Sequence, residues 1–412
     1  MTTPLRSLEH PLPGGMRDLL PEEARARRSL ARTVLADFDL RGYDLVLPPA
    51  FEFAEVLERG LGALDPSEVL RFVEPESGEV AALRPDMTPQ IARMIATRMR
   101  DRPPPFRIAY EGTVLRRRSG RARKRRQIPQ VGVELVGVAS PAGDVELLEV
   151  AVSALRAAGL REFVVDLGDA GVVRGLLQGL EQEVAAAVAD AVGNKDEDEI
   201  ETRMREAGAD PSRLIALLRQ QLHTATSRAV LDEGCKLLAG TAAEQPALRL
   251  RALFDAASAR GLGAHLSADL AEIRSAAYYT GMLFRAYAKG PGEAIASGGR
   301  YDELLGRFGM AAPAVGFGID LDALALALQA AGGARMAGDR VLVVGVGGGD
   351  TVDALRGRGV GAVGYEGEDA LGYARAWGFT YVLHGRDVID AQSGARSELG
   401  DAGLGRFEPH KH

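Results

Sequence analysis

The chain has 412 residues, more than one ordinary hydrophobic core organises, so two or three domains are expected. With 46% hydrophobic and 26% charged residues, its composition is that of a folded globular protein rather than a disordered one. Fifty Lys and Arg against 57 Asp and Glu give a net charge of −7, which excludes a general nucleic-acid binder.

The single cysteine, Cys235, excludes an internal disulfide and reads as a buried thiol in a reducing compartment. MTTPLRSLEH carries no apolar signal segment, and no run of about 18 apolar residues would span a membrane, so a cytoplasmic protein is expected.

PLPGGMRDLL (11–20) is a Pro/Gly-rich opening loop, and Pro21-Glu22-Glu23 starts a helix running to about Leu40. DLVLPPAFEF follows as a strand stopped by Pro48 and Pro49. Residues 79–100 read as a strand entering a helix, and 106–115 and 130–138 as two strands joined by a basic loop. GDVELLEVAVSALRAAG is an amphipathic helix ending at Gly159, and REFVVDLGD is a strand. From about Val172 to Gly261 helix formers dominate, which reads as an inserted helical domain. Strands return through LAEIRSAAYYTGMLFRAYA and AVGFGIDLDAL. RMAGDR marks a boundary near residue 337, and a strand–helix–strand–helix–strand tail closes the chain. The expected domains are therefore 1–171 and 262–336 as two parts of one core, 172–261 as a helical insertion, and 337–412 as a small α/β domain.

Several stretches carry candidate chemistry, each beside a plainer reading. RRRSGRARKRR (116–126) holds eight cations; it is either a solvated tip or a contact for phosphate, nucleic acid or another anionic partner, with Arg121, Arg123 and Lys124 in its middle. Arg116, at the strand edge, is the cation best placed to enter a site. QVGVE puts Gln130, Gly132 and Glu134 on one strand face, suiting a small ligand with an ammonium group or else a solvated face. RPDMT gives Asp86 and Thr88 the same spacing. RSAAYYTG aligns Arg274, Ala276 and Tyr278, so an arginine could clamp a carboxylate beside a tyrosine hydroxyl. SGGRYDELLGRFG pairs a close Gly-Gly approach with a helix start. Gly316 and Gly318 in AVGFGID mark a strand approached closely by a ligand or another backbone. Metal-pair, P-loop and nucleophile-elbow patterns are missing, and Asp350 breaks a dinucleotide fingerprint in GVGGGD; no cofactor or metal is expected.

In order, PLPGGMRDLLPEEA, LRPDMTPQIAR, QVGVELVG after its basic loop, RSAAYYTG, SGGRYDELL and AVGFGIDLDAL resemble the motifs of histidyl-tRNA synthetases over about residues 8–330. The resemblance implies an α+β fold with a class II aminoacyl-tRNA synthetase-like core. That core is an antiparallel sheet flanked by helices, with a helical insertion, a small C-terminal α/β domain, and a homodimer built through the first motif. The tail resembles a shortened anticodon-binding domain.

Departures from the synthetases matter most for function. Ala323 stands where the synthetases carry an arginine on the ATP γ-phosphate, and Arg118 where they carry an ATP-holding glutamate. Arg274-Ser275-Ala276-Ala277-Tyr278-Tyr279 replaces Arg-Gly-Leu-Asp-Tyr-Tyr, losing an acid. Each lost charge-assisted contact is worth roughly 1.5–3 kcal/mol. The amino-acid side is better kept. Thr88, Gln130, Glu134, Arg274 and Tyr278 stand where the synthetases recognise histidine, with Asp86 replacing a glutamate; Arg116, which keeps the arginine of the second motif, and Tyr279 are further candidates for the histidine site.

A pocket with amino-acid contacts but without ATP contacts resembles the synthetase-like regulatory subunits of ATP phosphoribosyltransferase. The resemblance implies a non-catalytic chain, homodimeric within a hetero-oligomer with the short-form catalytic subunit, and responsive to L-histidine. No membrane and no tRNA partner is expected. The alternatives are a divergent histidyl-tRNA synthetase and a free-standing tRNA-binding paralogue.

Overall fold

The computed structural model describes residues 12–61, 69–116, 125–223, 227–272, 278–333, 338–345, 348–400 and 402–410. The chain divides into two compact units, Met1–Arg17 with Thr33–Gly332 and Asp18–Arg32 with Gly333–His412.

In the first half of the larger unit the strands are β1 (Asp44–Val46), β2 (Phe51–Phe53), β3 (Arg71–Val73), β4 (Val80–Leu83), β5 (Phe106–Leu115), β6 (Gln127–Val136) and β7 (Val164–Asp169). The second half adds β8 (Leu266–Ala268), β9 (Met282–Tyr287), β10 (Ala296–Arg300) and β11 (Ala314–Asp320). Helix α1 (Pro21–Asp39) precedes them. Around the strands lie α2 (Ala54–Leu61), α3 (Thr88–Arg98) and α4 (Ala142–Ala157). The helical stretch runs α5 (Ala170–Leu176), α6 (Gln182–Asn194), α7 (Glu197–Glu206), α8 (Ser212–His223), α9 (Ser227–Leu237) and α10 (Glu244–Ala259). Helix α11 (Leu321–Ala330) follows β11.

Eight strands form the main sheet in the order β1-β5-β6-β11-β10-β9-β7-β8. Its six central strands pair antiparallel, whereas β1–β5 and β7–β8 at the two edges pair parallel. A separate antiparallel sheet has the order β2-β4-β3. The stretch DLVLPPAFEF is therefore two strands in two sheets. Pro48 and Pro49 cannot donate to a ladder, and the chain crosses from one sheet to the other there.

The core packs α3 against β5, β6 and the tyrosine-rich segment, with Met87, Ile91, Ile95, Phe106, Ile108, Tyr278, Tyr279 and Tyr301 buried together. Arg300 and Asp144 form a buried ion pair at 2.7 Å, both almost fully covered. Cys235 is a free, buried thiol, and burial pushes it above the usual thiol range.

In the smaller unit, β12 (Arg340–Val344), α12 (Gly349–Gly357), β13 (Gly361–Tyr365), α13 (Ala370–Ala376) and β14 (Tyr381–His384) alternate as the pattern requires. β15 (Asp387–Asp390) and β16 (Arg396–Glu398) extend the sheet to the order β13-β12-β14-β15-β16. SGGRYDELLGRFG enters a short 3-10 turn, Leu305–Phe308, rather than a longer helix. Among the described residues, no helix is long and apolar enough to cross a membrane.

Candidate functional site

Register builds the site. On β6, Glu134 faces Gly316 of β11 and Ile108 of β5, while Gly132 faces Gly318 and Tyr110. Partners in register share a sheet face, so two glycines of β11 lie beside the polar face of β6. A Cβ on Gly316 would fall 1.6 Å from Glu134 Oε2, and one on Gly318 would meet the Tyr110 hydroxyl at 2.9 Å. The close approach that the glycines signalled is thus made by the chain's own carboxyl and phenol. The Gly-Gly of β10 behaves likewise: a Cβ on Gly299 would meet the Tyr279 ring.

Glu134 is 1% exposed. The Thr88 hydroxyl donates to its Oε1 at 2.6 Å, and the Tyr301 hydroxyl donates to Oε2. Burial pushes its pKa up to about 8, against the lowering pull of these two hydroxyls. Burial therefore favours the neutral acid in the unliganded site.

Asp86 sits one turn away, not on a strand. Its Oδ1 accepts from the Thr88 amide at 3.1 Å, and Oδ2 accepts from the Tyr278 hydroxyl at 2.9 Å. Burial first, then Asp86, hold the Tyr278 phenol well above its ordinary range. Arg116 Nε donates to the Pro85 carbonyl at 2.7 Å, and its guanidinium lies 3.9 Å from Asp86. Arg116 therefore does turn toward the site, holding the 85–88 turn. The rings of Tyr278 and Tyr279 lie 4.7 Å apart, and Tyr301 meets Tyr278 edge-on at 5.9 Å. Two carboxyl groups, three tyrosines and one threonine converge. Such a set suits a small, flat, N–H-rich ligand.

Six of the sequence candidates, Asp86, Thr88, Arg116, Glu134, Tyr278 and Tyr279, come together. Gln130 is half-buried on the same face of β6, opposite Asp320. Arg274, Arg121, Arg123 and Lys124 lie outside the described residues, as does Arg118. Sequence reasoning missed Tyr301 and Tyr110. The signal for Tyr301 was its place directly after Gly298-Gly299-Arg300, which brings that strand against β11.

At the other end of β11, Asp320 caps α11 by accepting from the amides of Asp322 and Ala323 at 2.9 and 3.0 Å. Ala323 is fully buried there. Arg125 lies 3.2 Å from both Asp320 and Asp322 and also pairs with Glu293, while Arg17 reaches Asp322 at 3.1 Å. The acids beside Ala323 are thus neutralised by the chain's own arginines. No group of three or more His, Cys, Asp or Glu is placed to hold a metal among the described residues.

Comparison with known proteins identifies the family and the fold. The histidyl-tRNA synthetase family model matches residues 15–324. The chain is similar to the ATP phosphoribosyltransferase regulatory subunit of Geobacter sulfurreducens, 38% identical over 332 residues, covering 79% of this chain and 75% of that protein. The protein of the same name from an Anaeromyxobacter species is 40% identical over 341 residues, covering 79% of this chain and 95% of its own length. Among solved structures, a Bacillus halodurans protein described as an ATP phosphoribosyltransferase regulatory subunit/histidyl-tRNA synthetase superposes with TM-score 0.77 at 26% identity. It covers 92% of this chain and 99% of that one. A Nostoc histidyl-tRNA synthetase shares the fold, with TM-score 0.77 at 23% identity, over 96% of this chain and 98% of its own.

Proposed function

The chain belongs to the family of ATP phosphoribosyltransferase regulatory subunits within the histidyl-tRNA synthetase fold, and from that premise we propose that it is a histidine-responsive, non-catalytic partner of the short-form catalytic subunit. It would be required for that subunit's activity and would mediate feedback inhibition by L-histidine.

The observation carrying this reading is the contrast along β11. Among the described residues Glu134 is held only by hydroxyls and lies beside a tyrosine wall, whereas the acids beside Ala323 are already paired with arginines. The first arrangement can take a ligand. In the second, the cations among the described residues are already paired with these acids, which supports a chain that makes no adenylate.

Depth supports one arrangement of the contacts. Glu134, the most buried acid, would accept the imidazole N–H; Asp86 and Gln130, nearer the surface, would take the ammonium; Arg274 would take the carboxylate. The rival pairing sets Glu134 against the ammonium, and it is disfavoured because an ammonium is harder to desolvate than a ring nitrogen. Thr88, Tyr278 and Tyr279 complete the pocket.

The large exposed side chains of Leu45, Leu47, Phe51 and Phe53 support a homodimer. Residues 172–261 would act as a helical insertion and 337–412 as a vestigial anticodon-binding module used for packing or partner contact. The compartment would be the cytoplasm.

The test is a mixing assay. Purified chain is added to the short-form catalytic subunit from the same genome, and phosphoribosyl-ATP formation is followed with and without L-histidine. Activation that histidine suppresses is the expected result. No activation and no complex would overturn the reading; histidine-dependent pyrophosphate exchange would then point to a synthetase, and salt-sensitive tRNA binding to an RNA-binding paralogue.

A further inference from the structure

Arg84 sits at the joint between the two sheets of the larger unit. It is 8% exposed. Its Nη1 donates to the Pro48 carbonyl at 2.8 Å and the Pro49 carbonyl at 3.2 Å, and its Nε donates to Thr113 O on β5 at 2.8 Å. Its backbone amide donates to Ala50 O, and its own carbonyl accepts from the Leu115 amide. Gly112 makes room for the guanidinium: a Cβ there would fall 2.6 Å from Arg84 Nη2.

Among the described residues, no carboxylate pairs with this cation, and burial lowers its pKa from the usual arginine range. A buried charge held by neutral carbonyls alone is an expensive arrangement. Gln90 repeats the theme two turns on. It is fully buried, and its Nε2 donates to Pro49 O at 3.0 Å and to Glu52 at 2.9 Å. Its Oε1 is buried with no partner among the described residues.

These contacts bracket the pocket turn. Asp86 and Thr88 lie between Arg84 and Gln90, and both flanking side chains grip the Pro48–Pro49 crossing. That crossing leads directly into Phe51 and Phe53, which are 45% and 44% exposed.

We propose that Arg84 is a positioning residue that couples the Asp86–Thr88 pocket turn to β2, so that pocket occupancy and the state of the Phe51–Phe53 face report on each other. Such coupling is reciprocal: whatever steadies one end steadies the other. The proposal rests on the amino-acid reading of the pocket for its ligand, but not for its mechanics.

The test is amide hydrogen exchange on the full chain, read in peptides covering 50–58 and 84–94. The ligand-free arm is a double-mutant cycle of Phe51→Asp and Arg84→Lys. Lysine keeps the charge but cannot span three carbonyls. Phe51→Asp should speed exchange at 84–94 by roughly tenfold in the parent chain and change it little in the Arg84→Lys background, the non-additivity expected of coupled sites. Equal acceleration in both backgrounds, or none in the parent, would overturn the proposal. Loss of thermal stability alone in Arg84→Lys, with the cycle additive, marks a purely structural role and also overturns it.

The second arm adds L-histidine. Slowed exchange at 50–58 in the parent and not in Arg84→Lys extends the coupling to the ligand. If histidine fails to protect even 84–94 in the parent, the ligand assignment falls, while the first arm still decides the coupling.

Discussion

The two ends of β11 place carboxyl groups in opposite chemical settings. At Gly316 the strand borders Glu134, a buried acid held by the hydroxyls of Thr88 and Tyr301, whose pKa burial raises. At Asp320 it borders a cluster in which Arg125 and Arg17 answer three acids. Burial raises Asp320 as well, but Arg125 pulls it back. Hydroxyls leave an acid able to change its charge when a ligand arrives; guanidiniums fix it. One strand therefore carries a responsive end and a structural end, about four residues apart.

Glu134→Ala is the hardest blow to that contrast. Losing a charge-assisted hydrogen bond worth about 1.5–3 kcal/mol should weaken L-histidine binding by roughly 10- to 150-fold. Calorimetry on the folded variant checks it, and unchanged affinity would sink the responsive end. Arg125→Met should act in the opposite column. It leaves partly buried acids unpaired, so stability should fall by about 1–3 kcal/mol while histidine affinity stays within about twofold. The loss should shrink in high salt, because part of the cluster is solvent-exposed. Denaturation midpoints at two ionic strengths decide.

Glu134→Gln sharpens the comparison through pH. The folded pKa of Glu134, about 8, lies above the ordinary value, so the unfolded chain releases this proton first. Keeping it protonated costs nothing below about pH 4.5, and the penalty grows as pH rises toward 8. The variant's melting temperature, relative to the parent's, should therefore climb between pH 5 and 8 and then level off. A flat difference would show the acid to be ionised throughout. Neutralising Arg121, Arg123 and Lys124 together should have the smallest effect on the pocket. Histidine affinity should not move, while assembly with the catalytic subunit, or its activation, weakens in a salt-dependent way. If both assembly and activation are untouched, the hairpin is only solvated.

Much of this was visible before the structure. Local signals, such as proline and acids opening α1, alternation in β5 and β6, and the helix-rich run after Val172, reported the elements because they depend on neighbours in sequence. Motif order placed Asp86, Thr88 and Glu134 in one site. What escaped depends on tertiary contact. Arg84 looks like one more arginine until Pro48, Pro49 and Thr113 offer it their carbonyls. Arg125 is hidden among eight similar cations, and only the fold separates it from its neighbours by bringing Asp320 within reach. Tyr301 and Tyr110 read as core aromatics, since nothing in sequence shows which hydroxyl will meet a carboxyl or a strand carbonyl. β15 and β16 are short and polar, too weak in pattern to register as strands.

The missing side chain at Gly316 also has a genetic consequence. A Cβ on Gly316 would overlap the Glu134 carboxyl, so Gly316→Ala must drive that carboxyl away from the Thr88 and Tyr301 hydroxyls. Shortening residue 134 removes the carboxyl but not the Val133 carbonyl, 2.8 Å from that Cβ, so Gly316→Ala should destabilise the fold strongly and be rescued in part by Glu134→Ala. Positions 134 and 316 are then a suppressor pair, and a screen for revertants of Gly316→Ala should return changes at Glu134 first.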